Sequence, residues 1–238
     1  MILYSSYTDI GGRSCNEDSV KIKDIGNDRI CVVLSDGLGG HGGGDVASRI
    51  TVDTVCGGWN GTATPATIVD LAMEVHRDIL SRQTQTCKMK STLVVLSIEN
   101  TRIDYAHIGD SRLYHFINGK IVFQTKDHSA SQIAVLLGQI TPDEIRFHED
   151  RARIFRALGQ EGDLTVDTGE EQLAAGKHAF LLCSDGFWEY VYENEMEEEL
   201  ARSSSPEDWI ARMRQIHKTR IPSDNDNNTA AAVWLDVK

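Results

Sequence analysis

The sequence predicts an α+β fold built on antiparallel strands, and three features carry that reading. Residues 91–98, 102–108, 113–117 and 121–124 read as successive short strands, with Asn118-Gly119 as a two-residue hairpin signal. Helical spacing runs through 45–55 and again from Thr64-Pro65, with Ile68, Leu71, Ala72, Val75 and Ile79 on one face. A further helix starts at Ser205-Pro206-Glu207-Asp208, with Trp209, Ile210, Met213 and Ile216 as its inner stripe. A run of neighbouring strands excludes a simple βαβ series. The chain has 238 residues, 40% of them apolar, enough to bury a sizeable core. It contains no linker or low-complexity tract, so one domain spanning 1–238 is expected.

In chain order, 2–7 is a first strand, and the polar stretch 9–19 collects Arg13, Asn16, Glu17 and Asp18 before the next. Arg29 to Ser35 is an apolar, β-branched run that delivers Asp36 to a loop. Six of the eight residues from Gly37 to Gly44 are glycine, costly in ordered structure unless backbone must approach something closely. Gly37, Gly39 and Gly42 satisfy the dinucleotide spacing G-x-G-x-x-G, but no second strand ending in an acid follows about twenty residues on. No Gly-Lys-Ser/Thr follows either, which excludes a Walker loop. His76 reads as surface or core filler. Residues 130–137 form a short helix, 138–155 an irregular excursion, 156–159 a return to the core and 165–167 a short strand. Phe187-Trp188 reads as an apolar patch in a loop, and the acidic 189–199 segment as a solvated helix face.

A metal site explains more of the pattern. Ala179 to Gly186 repeats the motif of an apolar run ending in Ser-Asp-Gly, here Ser184, Asp185 and Gly186. Asp224-Asn225-Asp226-Asn227 precedes the last apolar run, 230–235, and Asp110 interrupts another strand. Carboxylates at strand ends are what a hard, oxygen-liganded divalent cation requires. The Asp224 cluster is not an EF-hand loop, because Thr229 and Leu235 stand where Gly and Glu are needed. The net charge of −12 argues against nucleic acid as partner. Five scattered cysteines without a CxxC pair suit a reducing cytoplasm. No apolar run reaches the roughly 18 residues of a membrane span, so a soluble cytoplasmic protein is expected.

These residues, in this order, resemble the metal-dependent serine/threonine protein phosphatases of the 2C type in their compact bacterial form. The match is carried by Arg13-x-x-Asn16-Glu17-Asp18, Asp36-Gly-Leu-Gly-Gly-His41-x-x-Gly44, Ser91-Thr92 and Gly109-Asp110-Ser111-Arg112-x-Tyr114. It continues through Asp127-His128-Ser129, Arg156-Ala-Leu-Gly159, Ser184-Asp185-Gly186 and Asp226-Asn227-x-Thr229. The resemblance implies a β-sandwich of two mainly antiparallel sheets flanked by helices, four layers in all, with a binuclear Mn²⁺ or Mg²⁺ site at one end. It implies that Asp36 bridges both ions and the Gly37 carbonyl binds one, while Asp185 and Asp226 hold the other. Asp110 matches the position of a third, looser ion. Glu17 and Asp18, with His41 and Asn227, lie in the surrounding shell, and Arg13 grips the substrate phosphate. The implied activity is hydrolysis of phosphoserine and phosphothreonine in proteins by a metal-activated water, reversing a cognate bacterial Ser/Thr kinase, by a monomer.

The sequence departs from that pattern at three places. Leu38 follows Asp36-Gly37 where eukaryotic relatives carry a proposed general-acid His, His148 is followed by Glu149 rather than Pro, and Lys90 precedes Ser91 where Gly is frequent. A catalytically silent phosphoprotein-binding module of the same fold is the alternative reading; the full set of Asp36, Asp185 and Asp226 favours catalysis.

Overall fold

The structure, a computed structural model, describes residues 1–38 and 42–238. Strands β1 (Ile2–Asp9), β2 (Asp18–Asp24) and β3 (Arg29–Leu38) lead into helices α1 (Gly44–Gly58) and α2 (Pro65–Arg82). Short β4 (Lys90–Ser91) precedes β5 (Leu93–Glu99), β6 (Arg102–Ile108), β7 (Arg112–Ile117) and β8 (Lys120–Gln124). Then come α3 (Ala130–Leu136), a 3-10 turn at Pro142–Phe147, β9 (Asp167–Gln172) and β10 (Gly176–Cys183). Helices α4 (Asp185–Trp188), α5 (Glu193–Arg202) and α6 (Pro206–Arg220) precede the last strand, β11 (Asn228–Val237).

The strands form two antiparallel sheets. One runs β1-β11-β10-β7-β8; the other runs β2-β3-β5-β6-β9, with β4 beside β3. Successive strands therefore do not make one meander. The chain crosses between sheets after β6, where Gly109 takes a left-handed φ of +99° that an L side chain rarely adopts. Asp110 sits in that crossing.

Period-two alternation sorts the core into three layers. Along β3, Cys31 and Val33 face α1 and α2, where Val52, Ile68 and Val75 meet them. Ile30, Val32 and Leu34 face the other sheet and pack with Phe180, Leu182, Ala231 and Val233. On the far side of that sheet, Leu181 and Ala232 pack under Trp188, Trp209 and Met213. Central strands buried on both faces carry continuous apolar runs, which is why they were conspicuous in the sequence. The second helix starts as expected: Thr64 accepts from the Thr67 N–H at 3.2 Å, with Pro65 in the first turn.

Four local expectations are corrected. The strand expected at 165–167 is β9, displaced to Asp167–Gln172; it is an acidic edge strand with no apolar alternation to reveal it. Phe187-Trp188 is not a loop patch but the buried end of α4. His217, not Ile216, completes the inner stripe of α6, because its Nε2 donates to the Gly186 carbonyl at 2.7 Å. The acidic 189–199 segment is not a free solvated face. Arg151 donates to Glu189 at 2.7 Å, Arg220 to Glu195 at 2.5 Å and Lys120 to Glu197 at 2.7 Å, while Arg146 binds Glu193.

Candidate active site

Each acidic candidate is delivered by the end of a strand or by a break in one. Asp18 opens β2 and stands directly opposite Asp36 in the β2–β3 register, so both side chains leave the sheet on one face. Asp36 is fixed from behind: its N–H donates to Thr92 Oγ1 at 2.8 Å, and Thr92 shares a hydrogen bond with Ser111 at 2.8 Å. Gly37 passes so close to α1 that a Cβ there would come 2.1 Å from the Gly44 carbonyl oxygen. Its N–H donates to the Glu17 carbonyl at 3.0 Å, and the Glu17 carboxylate lies against Gly44 at the start of α1. Gly37, Gly43 and Gly44 are thus closely packed, whereas a Cβ at Gly42 would meet nothing within 4 Å. His41 lies outside the described residues.

The other side comes from α4 and β11. The backbone at Gly186 lies against Asn227, where a Cβ would come 2.0 Å from the Asn227 carbonyl oxygen, so Asp185 and Asp226 are brought together. Asn227 ties in the first loop: its Oδ1 accepts the Glu17 N–H at 2.8 Å, and its Nδ2 donates to the Ile10 and Cys15 carbonyls at 2.8 and 3.0 Å. Ser184 donates to Asp18 Oδ2 at 2.8 Å. Arg13, exposed at the rim, donates to Asp226 Oδ2 at 2.8 Å.

Charge shows how tightly the group is gathered. Burial, then the charges of Asp18, Asp185, Asp110 and Asp226, push the Asp36 carboxyl well above its ordinary range. Burial followed by the Asp185 charge does the same to Asp110, and burial followed by Asp226 raises Asp185. Asp18 is raised to about 7, chiefly by burial. Asp36 feels the charges of all four other acids, so positions from 18 to 226 converge around it.

The donor set suits a hard divalent cation. Asp18 Oδ1 and Asp110 Oδ1 are buried without any hydrogen-bond partner, an expensive condition that a cation would relieve. Five mutually repelling carboxylates and a backbone held close by glycine make an oxygen-only cradle. A second group, His107, His128 and Asp167, gathers donor atoms within 4.8 Å of one another behind the turn that carries Asp110.

Glu189 is the acid that sequence reasoning missed. Burial and then the Asp185 charge raise it to about 7, and Arg151 binds it. The available signal was its position, four residues after Asp185 across an apolar helical turn.

The chain has relatives among known proteins. Residues 8–225 match the family model described as Protein phosphatase 2C. The chain is 31% identical over 196 residues to a serine/threonine phosphatase of Listeria monocytogenes, covering 78% of this chain and 77% of that protein. A crystal structure of a serine/threonine phosphatase from Staphylococcus aureus superposes with a TM-score of 0.87 at 26% identity, covering 100% and 96% of the two chains. The catalytic domain of the phosphatase PstP, in complex with two manganese ions, is similar at 28% identity and TM-score 0.81 over 99% of each chain.

Proposed function

This chain belongs to the protein phosphatase 2C family and is a protein serine/threonine phosphatase; from that premise we propose which residues perform the reaction. Asp36, the Gly37 carbonyl, Asp185 and Asp226 hold two divalent cations, and Asp110 contributes to a looser third. When bound, such ions acidify water and neutralise charge on the reacting phosphoryl group. Mn²⁺ is the ion we favour, on the likeness to a phosphatase in complex with two manganese ions. Glu17, Asp18, His41 and Asn227 serve as the surrounding shell. Asn227 and Ser184 keep the loops of the two sheets in register.

Arg13 supplies the phosphate contact. Its exposed guanidinium already pairs with a carboxylate, and a phosphate monoester is the stronger match for the same fork. The substrate is a phosphoprotein made by a cognate Ser/Thr kinase, the compartment is the cytoplasm, and the working unit is a monomer.

The observation that carries this reading is the convergence of Asp18, Asp36, Asp110, Asp185 and Asp226 from five separate segments. The test is phosphate release from a phosphothreonine peptide with Mn²⁺. Asp36→Asn is expected to lower kcat about 10³-fold, the order expected when cation stabilisation worth about 4 kcal/mol is lost. Unchanged turnover in that variant refutes the assignment.

A further inference from the structure

Two sequence motifs have no part in the proposed chemistry: Asp127-His128-Ser129 and Arg156-Ala157-Leu158-Gly159. In the structure both lead to the turn that carries Asp110. Gly109 begins that turn at φ +99°, and a Cβ there would come 2.6 Å from Thr92 Cγ2. His128 grips Gly109 twice. Its backbone N–H donates to the Gly109 carbonyl at 2.8 Å, and its Nδ1 accepts the Gly109 N–H at 3.0 Å.

That second bond fixes the ring. A nitrogen that accepts an N–H carries no proton, so the neutral ring bears its proton on Nε2. Nε2 lies 3.1 Å from Asp167 Oδ2, to which this tautomer donates, and 3.2 Å from the Arg156 nitrogen that itself donates to Asp167 Oδ1 at 2.9 Å. The rest of the turn is tied down residue by residue. Trp188 Nε1 donates to the Asp110 carbonyl at 2.9 Å, Ser111 meets Thr92 at 2.8 Å, and Arg112 makes two bonds of 2.8 Å to Asp127. Only the Asp110 carboxyl is left over, with Oδ1 buried and unpaired.

The same geometry argues against a cation on His107, His128 and Asp167, although their donor atoms lie within 4.8 Å of one another. A cation on His128 Nε2 would send the proton to Nδ1, where it would oppose the Gly109 N–H. Arg156 would also place a positive charge beside the ion. His128, Asp167 and Arg156 form an ordered set of polar contacts that His107 does not join, its Nε2 being buried without a partner.

We propose that His128 is a positioning residue: its Nδ1, oriented through Nε2 by Asp167 and Arg156, sets Gly109 and so aims the Asp110 carboxyl into the cation pocket. This rests on the reading of Asp110 as a ligand of the loosest cation.

The experiment is a Mn²⁺ titration of the full chain, read as ions bound and their affinities by electron paramagnetic resonance. An Asn side chain places its oxygen where Nδ1 stands, whereas Gln places it near Nε2. His128→Gln is expected to weaken the loosest site about tenfold, as loss of an outer-shell partner does, and Asp110→Asn at least as much. His128→Asn is expected to stay within about threefold of wild type, a rescue that a merely structural role would not produce. Asp167→Leu, at the exposed end of the chain of bonds, is expected to weaken the same site severalfold. Wild-type binding in His128→Gln or Asp167→Leu, or equal losses in the Asn and Gln variants, overturns the proposal. If Asp110→Asn changes no site, the reading of Asp110 has failed and the positioning role falls with it. If Asp110→Asn weakens the site while His128→Gln does not, only the positioning role has failed.

Discussion

Asp127 and Arg112 are 1% and 2% exposed, among the least accessible charges in the protein. Two parallel hydrogen bonds of 2.8 Å join them, and Trp188 stacks 3.4 Å from the guanidinium carbon. Their mutual attraction offsets the cost of removing both from water, so removing one partner strands the other. Asp127→Ala is expected to cost about 3–5 kcal/mol, read as a lower urea midpoint with an unchanged m-value. The Arg13–Asp226 pair has the same 2.8 Å separation, but its side chains are 54% and 46% exposed, and such pairs contribute under about 1 kcal/mol. Distance alone does not rank ion pairs; exposure does. Sequence reading worked well for acids that interrupt an apolar run and precede Gly, as Asp36 and Asp185 do. It failed for Glu189, because the strongly acidic stretch around it looked solvated. The arginines that pair with that stretch, at 146, 151 and 220, come from other segments, and one-dimensional pattern cannot join them.

At the scale of elements, the junction of β10, α4 and β11 does most to assemble the pocket. Helix α4 is only four residues long and lies against the start of β11 through Gly186. Its backbone φ is ordinary, so the need for glycine here is one of space. A methyl group would come 2.0 Å from the Asn227 carbonyl oxygen and 3.3 Å from Asp226 Cβ, and backbone would have to move. Gly186→Ala is expected to cost about 1–3 kcal/mol through overpacking. It is also expected to weaken Mn²⁺ binding by parting Asp185 from Asp226. A thermal melt with and without Mn²⁺ checks both, and an unchanged Mn²⁺ shift would contradict the second. Apolar strands and capped helices were legible because burial and capping leave local marks. The acidic edge strand β9 leaves none: it is held by its ladder to β6, not by an apolar face.

At the scale of the whole molecule, antiparallel strands could be read from the spacing, but their division into two stacked sheets could not. β3, β5, β10 and β11 are buried on both faces, so no alternation shows which face meets which layer. That part of the fold came from resemblance to a known family. The same stacking brings the acids of both sheets to one end, in a chain of net charge −12. A carboxyl whose folded pKa lies above its unfolded value of 3.8 binds more protons folded than unfolded between those two limits. Stability then falls as pH rises through that window. Asp18 leaves it at about 7, while Asp36 and Asp110 lie well above 3.8. Buried histidines act oppositely: His107 at about 3 and His115 at about 4 favour the folded state increasingly up to their unfolded value of 6.5. That contribution is nearly complete only by about pH 7.5, above which the carboxyls set the slope. A metal-stripped sample is therefore expected to melt lower at about pH 8.5 than at about pH 7.5. Mn²⁺ competes with protons for the same oxygens, so its stabilisation should be larger at the higher pH. Calorimetry at both pH values, with chelator and with Mn²⁺, measures the difference. A metal-stripped melting temperature that rises over this interval, or an Mn²⁺ shift independent of pH, would mean that these carboxyls do not share one pocket in solution.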